Sequence, residues 1–288
     1  MKRRYLLYFF VIVIIQNQSA QENNVLDAIS RMEALTSISE EEFTLQDSYF
    51  IGRAVAAHIF DRYAPYTEKP ALTNYLNLIC GALAINSSSP EWFNGYHVMI
   101  LDSQIPNAYS TSGGHIFLTI GLIKLVSSED MLAAVIAHEI AHIQLNHGLS
   151  EIKHNRLIQD FNMERNRILS SDIFGANEFS ITFNEIVDQY INILFAGGYS
   201  QLQEIEADKY AISLLASAGY YPGSLIDVLH VYESLQPDWL ASLKTSHPLP
   251  FQRISSARQQ AALYRIMDTR SVRISRFLCF MGKTNISE

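Results

Sequence analysis

Five residues, His138-Glu139-Ile140-Ala141-His142, restrict this chain more than any other stretch does. They continue a run of strong helix formers, Met131 to Ala137, so residues 128–147 read as one helix. Ser127 with Asp130 is a candidate capping box at its start. Residues four apart on a helix share a face, so both imidazoles point at one place while the opposite, apolar face belongs against a core. Two neutral imidazoles and a carboxylate suit zinc and leave a position open to water. Glu139, next to the first histidine, can take the proton of that water as it attacks a peptide carbonyl. With nine histidines in 288 residues, a chance match is on the order of 1–2%.

The third ligand decides the subclass. No glycine and third histidine follow at metzincin spacing in Ile143-Gln144-Leu145-Asn146-His147-Gly148. A second helical stretch instead carries Glu204-Ile205-Glu206-Ala207-Asp208. Glu204 and Asp208 share a face: Glu204 can complete the metal site, and Asp208 can accept the free N–H of a ligating imidazole and fix its tautomer. Glu206 points about 160° away from Glu204 and is a poorer ligand. Acidic residues so spaced also make a solvated face, but Ala207, Leu214 and Leu215 require this helix to pack against something.

The remaining sequence sets the frame. Hydrophobic content of 48% with 17% charged residues allows a sizeable core, and a net charge of −8 excludes a nucleic-acid partner. Lys2-Arg3-Arg4, an apolar run from Tyr5 to Ile15 and a polar stretch ending at Ala20 read as a signal peptide over residues 1–20. Gln18 spoils the cleavage site, so an uncleaved N-terminal anchor is the alternative and the one route to membrane contact. Either way the expected location is periplasmic or secreted. Cys80 and Cys279 are two separate thiols or one disulfide.

A helical pattern covers 25–64, clearest from Ile51 to Phe60, and another covers 70–83. Short strands follow at 96–101, 107–111 and 115–119, and everything after Gly121 reads helical as far as Met267. The expected class is α+β and zincin-like, mostly helical, with one small three-stranded sheet beside the H-E-x-x-H helix. One domain over 21–270 and a tail over 271–288 complete the expected organisation. Residues 181–197 are apolar enough to suggest a membrane span, but Asn184, Glu185, Asp188, Gln189 and Asn192 exclude it. That stretch is expected to lie over the active-site side.

H-E-x-x-H followed by E-x-x-x-D resembles the gluzincin peptidases that include HtpX, the CAAX prenyl protease and the periplasmic BepA-like proteases. The likeness extends through Gly52-Arg53-Ala54, Asn107-Ala108-Tyr109, Gly113-Gly114-His115-Ile116-Phe117, Gly121-Leu122 and His247-Pro248 with Arg253, in family order over about residues 45–260. With no multi-span region and no tetratricopeptide repeats, the chain resembles the short single-domain members. The resemblance implies one zinc ion per chain on His138, His142 and Glu204, with Glu139 as base and Asp208 as a supporting carboxylate or proton donor. It implies that Asn107, Ala108, Tyr109 and Ser110 form the edge strand to which an extended substrate adds. His247 would stand at the cleft, stabilising an oxyanion or occupying the metal in a resting state; read from the residues alone it is also simply the residue before a proline.

Two functions remain open at this point. One is a zinc endopeptidase cleaving extended or misfolded polypeptides, with outer-membrane and other envelope proteins among its substrates, in protein quality control. The other is a latent module that keeps the fold and binds chains without cleaving them, held shut by His247 and residues 148–198.

Overall fold

Helix α1 (Leu45–Arg62) opens with a capping box: Thr44 accepts the Asp47 N–H, and Asp47 Oδ2 accepts the Thr44 N–H at 2.9 Å. The computed structural model describes residues 43–92, 94–150, 152, 176–247, 251–265 and 269–282. The expected signal segment, the helical pattern before Phe43 and most of 151–175 lie outside the described residues. Helix α2 (Pro70–Ile85) places proline in its first turn, where no N–H is needed.

Three strands follow: β1 (His97–Leu101), β2 (Ala108–Thr111) and β3 (His115–Thr119). The sheet order is β1-β3-β2, with β1 parallel and β2 antiparallel to β3. Gly114, at φ 85°, makes the turn between β2 and β3 that other residues adopt poorly. The pleat assigns the strands to two cores. Ile116 and Leu118 face one core and Phe117 the other; likewise Ala108 faces the first and Tyr109 the second.

The outer edge of β1 is closed. Asn77 of α2 imitates a neighbouring strand, donating to the Val98 carbonyl at 2.8 Å and accepting its N–H at 2.9 Å. The Tyr66 N–H bonds the Ile100 carbonyl at 2.8 Å, and Asp102 N–H bonds the Ala64 carbonyl at 2.8 Å.

Thr119 caps α3 (Ile120–Leu125) through the Leu122 N–H. Helix α4 (Glu129–Gln144) is buried from Glu129 to Ile143, which is why its sequence is apolar on nearly every side. Its N-cap is Ser128, accepting the Met131 N–H at 3.2 Å, and not Ser127. The Ser127–Asp130 box does not form because the Asp130 carboxylate is taken by Arg273 and by the Tyr221 N–H. The short α5 (His147–Ser150) follows after Asn146, which adopts φ 54°.

Helix α6 (Ala176–Asn192) ends in a π-helical turn, Ile193–Gly197, and packs on α1 through Ile186 and Tyr190. Phe195 lies 5.0 Å from the Tyr109 ring, so this segment covers the face of β2 that Tyr109 occupies. Helices α7 (Gln201–Ser217), α8 (Ser224–Glu233), α9 (Pro237–Ser246) and α10 (Phe251–Ala261) complete the body around α4.

One more helix, α11 (Arg270–Met281), stands where the helical pattern was read as finished. Phe277 is buried, the Phe280 ring stacks on Tyr75 at 4.2 Å, and Arg276 binds Glu129 at the start of α4. Tyr75 donates to the same carboxylate at 2.6 Å. Cys80 and Cys279 are both free thiols, so no disulfide links this helix to α2; burial pushes the Cys80 thiol up to about 12. No described helix is long and apolar enough to cross a membrane.

Candidate metal centre

Helices α4 and α7 lie side by side, and each presents its four-residue spacing to the other. Ser200 and Gln203 form a capping box that starts α7 one turn before Glu204, so the carboxylate sits near the positive end of that helix. His138 Nε2 is 3.5 Å from Glu204 Oε2, His142 Nε2 is 3.4 Å from Glu204 Oε1, and the two imidazole nitrogens are 3.1 Å apart. The far nitrogen of His138, Nδ1, lies 3.1 Å from Asp208 Oδ1. The four groups predicted from their spacing thus meet at one place.

His247, just after α9, joins them. Its Nδ1 is 2.8 Å from Glu204 Oε1 and its Nε2 is 3.7 Å from Glu139 Oε1. Ligand atoms of His138, His142, Glu204 and His247 all lie within 4.8 Å of one another, and all four residues are buried. Glu139 is buried too, and its Oε2 has no hydrogen-bond partner. A convergent set of imidazoles and one carboxylate, with a second carboxylate oxygen left over beside it, fits a divalent metal and a reacting water.

The electrostatics rest on Arg253 of α10. Burial alone would raise the Glu204 carboxyl, but Arg253, His247 and the two imidazoles hold it well below the usual carboxylate range. Asp208 is likewise lowered, burial being outweighed by Arg253 and His138. Burial works against a proton on His138, yet Asp208 and Glu204 lift it to about 9. His142 has no such direct carboxylate on its far side, and burial depresses it well below its usual value.

Ala108 shares a small cavity with His138, Glu139, His247 and the apolar Val135, Val228 and Leu229. Asn107, Tyr109 and Ser110 are buried as well. Tyr109 turns to the opposite face of the sheet, where its hydroxyl meets those of Tyr63 at 3.1 Å and the Asn107 amide at 2.9 Å. Of the four strand residues, then, only the Ala108 side chain lines this cavity.

Residues 70–261, well over half of the chain, match the model of peptidase family M48. The chain belongs to that family. The M48 assignment agrees with the relatives found. The chain is 25% identical to the β-barrel assembly-enhancing protease of Yersinia pestis over 210 residues, 69% of this chain and 40% of that one. It is 27% identical to the protein of the same name from Escherichia coli O157:H7 over 221 residues, 72% of this chain and 42% of that one. It is also 28% identical to the mitochondrial metalloendopeptidase OMA1 of Arabidopsis thaliana over 153 residues, 53% of this chain and 29% of that one. The chain spans about two fifths of the length of the β-barrel assembly-enhancing proteases it matches. As an M48 chain it is mostly helical with one mixed three-stranded sheet, a zincin-like arrangement.

Two neighbours of the M48 site were not read from the sequence as parts of it. Arg253 was visible only as the end of the H-P-x-x-x-x-R element, and its double grip on Asp208 has no local signature. Tyr199, just ahead of α7, stacks its ring on His142 at 4.0 Å and 18°. An aromatic before a capping serine was the only available hint.

Proposed function

We propose that this chain is a zinc-dependent endopeptidase that cleaves extended or misfolded polypeptides of the cell envelope. The supporting observation is the meeting of His138, His142 and Glu204 beside a buried Glu139 carboxylate with one unpartnered oxygen. His138, His142 and Glu204 would hold one zinc ion per chain, which supplies Lewis acidity to water and to a peptide carbonyl.

The chain's own residues do the rest. Asp208 orients His138 through Nδ1, and Arg253 keeps Asp208 and Glu204 charged. Glu139 acts as general base at Oε2 and returns the proton to the departing amine. His247, next to both Glu139 and Glu204, would donate to the developing oxyanion. An extended substrate would pair with β2 through Asn107–Ser110, a main-chain mode that tolerates many sequences. The relatives' names point to β-barrel assembly as the setting. With residues 1–20 as a signal or anchor, the metallopeptidase domain of residues 21–270 would act in the periplasm or outside the cell. Residues 271–288, assigned to a tail, begin within α11, which packs on that domain.

Casein cleavage by wild type and Glu139→Gln tests the mechanism. Loss on the order of 10²–10⁴-fold with zinc retained is expected. Undiminished cleavage, or metal analysis giving well under one zinc per chain, overturns it. His247 favours a second reading, a latent module that binds chains without cutting them, because its imidazole belongs to the same four-ligand cluster. A zinc-loaded wild type that cleaves nothing, even as His247→Ala, would establish that reading.

A further inference from the structure

We infer that His147 is a positioning residue for His142, and that Glu206 completes this support at the surface. The inference rests on the metal-site reading above. His142 turns Nε2 toward His138 and Glu204, at 3.1 and 3.4 Å. A neutral imidazole that offers Nε2 to a metal carries its proton on Nδ1. That Nδ1 is 3.0 Å from Nδ1 of His147, in a buried contact. Two ring nitrogens share one proton in such a contact, so His147 Nδ1 is the acceptor. The proton of His147 is then on Nε2, a buried atom without a hydrogen-bond partner that lies 3.5 Å from Glu206 Oε2. The tautomers are thereby set in sequence from Glu206 through His147 to His142.

The backbone is shaped for this contact. Asn146 takes φ 54°, a left-handed conformation that asparagine tolerates better than most residues, and it turns His147 back beneath the last turn of α4. The two rings sit 5.0 Å apart, and Tyr199 stacks on the face of His142. His138 receives its support directly from Asp208; His142 receives it through a second imidazole. Glu206, a poor candidate for the metal because it faces away from Glu204, acquires a role on this other side.

Metal-free full-length protein titrated with zinc against a competing chelator tests the inference. His147→Leu removes the acceptor, and its zinc affinity should fall about 10–100-fold. His147→Asn puts an amide oxygen near the position of Nδ1 and should bind zinc within about threefold of wild type. Glu206→Gln should lose less than His147→Leu, since Glu206 is largely exposed. Unchanged affinity in His147→Leu, or equal losses in the leucine and asparagine variants, overturns the inference. Should His147→Leu not fold, ¹⁵N-histidine spectra of the zinc-loaded wild type decide: the proton must be on Nδ1 of His142 and on Nε2 of His147. Failure of wild type to bind zinc would instead remove the reading on which the inference rests.

Discussion

Arg253 holds Asp208 by a two-pronged contact, Nε donating to Oδ2 and Nη2 to Oδ1, each at 2.8 Å. The remaining nitrogen, Nη1, is 2.6 Å from Glu204 Oε2. One guanidinium therefore serves two fully buried carboxylates on the same helix face. Two negative charges that close would otherwise force one to take a proton.

Replacing Arg253 by methionine should destabilise the chain by about 3–5 kcal/mol, because two buried carboxylates lose their common partner. Lysine keeps the charge but not the fork, and should fall between the two. Urea unfolding of the metal-free proteins measures this; a methionine variant as stable as wild type would refute it.

Arg276 and Glu129 tie α11 to the start of α4, with Tyr75 and Tyr220 on the same carboxylate. Arg276 is half-exposed, so water replaces part of what its removal takes away, and Arg276→Met should cost only about 1 kcal/mol. Glu129→Ala strands two tyrosine hydroxyls and should cost about 2–4 kcal/mol. Denaturant midpoints in the reverse order would contradict this account of the α4 start.

Gly52→Ala poses two opposed effects. Alanine favours a helix over glycine by up to about 1 kcal/mol. Its Cβ, however, would lie 2.1 Å from the Gly113 nitrogen and 2.8 Å from the Gly113 Cα, both backbone atoms of the turn before β3. The clash should win by about 1–3 kcal/mol, lowering the melting temperature.

His115 supplies a pH dependence. Burial first, then the charges of His97 and Arg53, lower its imidazole to about 4. The unfolded chain takes up a proton near the ordinary value of about 6.5 and the folded chain does not. Stability from this residue is therefore complete above pH 6.5 and declines as pH falls toward 4. The difference in urea midpoint between wild type and His115→Asn should shrink as pH drops from 7 to 4.5.

The sequence was most legible where spacing along one helix does the work. His138 with His142, and Glu204 with Asp208, share a helix face by the helical repeat alone; alternation marked the first strand, and the glycine pair Gly113-Gly114 marked the start of the third. Contacts made across long separations were not legible. Arg253 reaches Asp208, Arg276 reaches Glu129, and the parallel pairing of β1 with β3 skips a strand, none of which leaves a local trace. The capping error had the same origin, since Asp130 is claimed by Arg273 from the far end of the chain. His142 and His147 are five apart, and only the left-handed turn at Asn146 makes them neighbours.

The Asn77 side chain and residues 64–66 seal one margin of the sheet. An open sheet margin invites other chains, or copies of the same chain, to join it edge to edge. The other outer strand, β2, is buried along its whole length and runs alongside α4. The asparagine therefore works as a stopper: a single side chain fills a margin that would otherwise be open to strand addition.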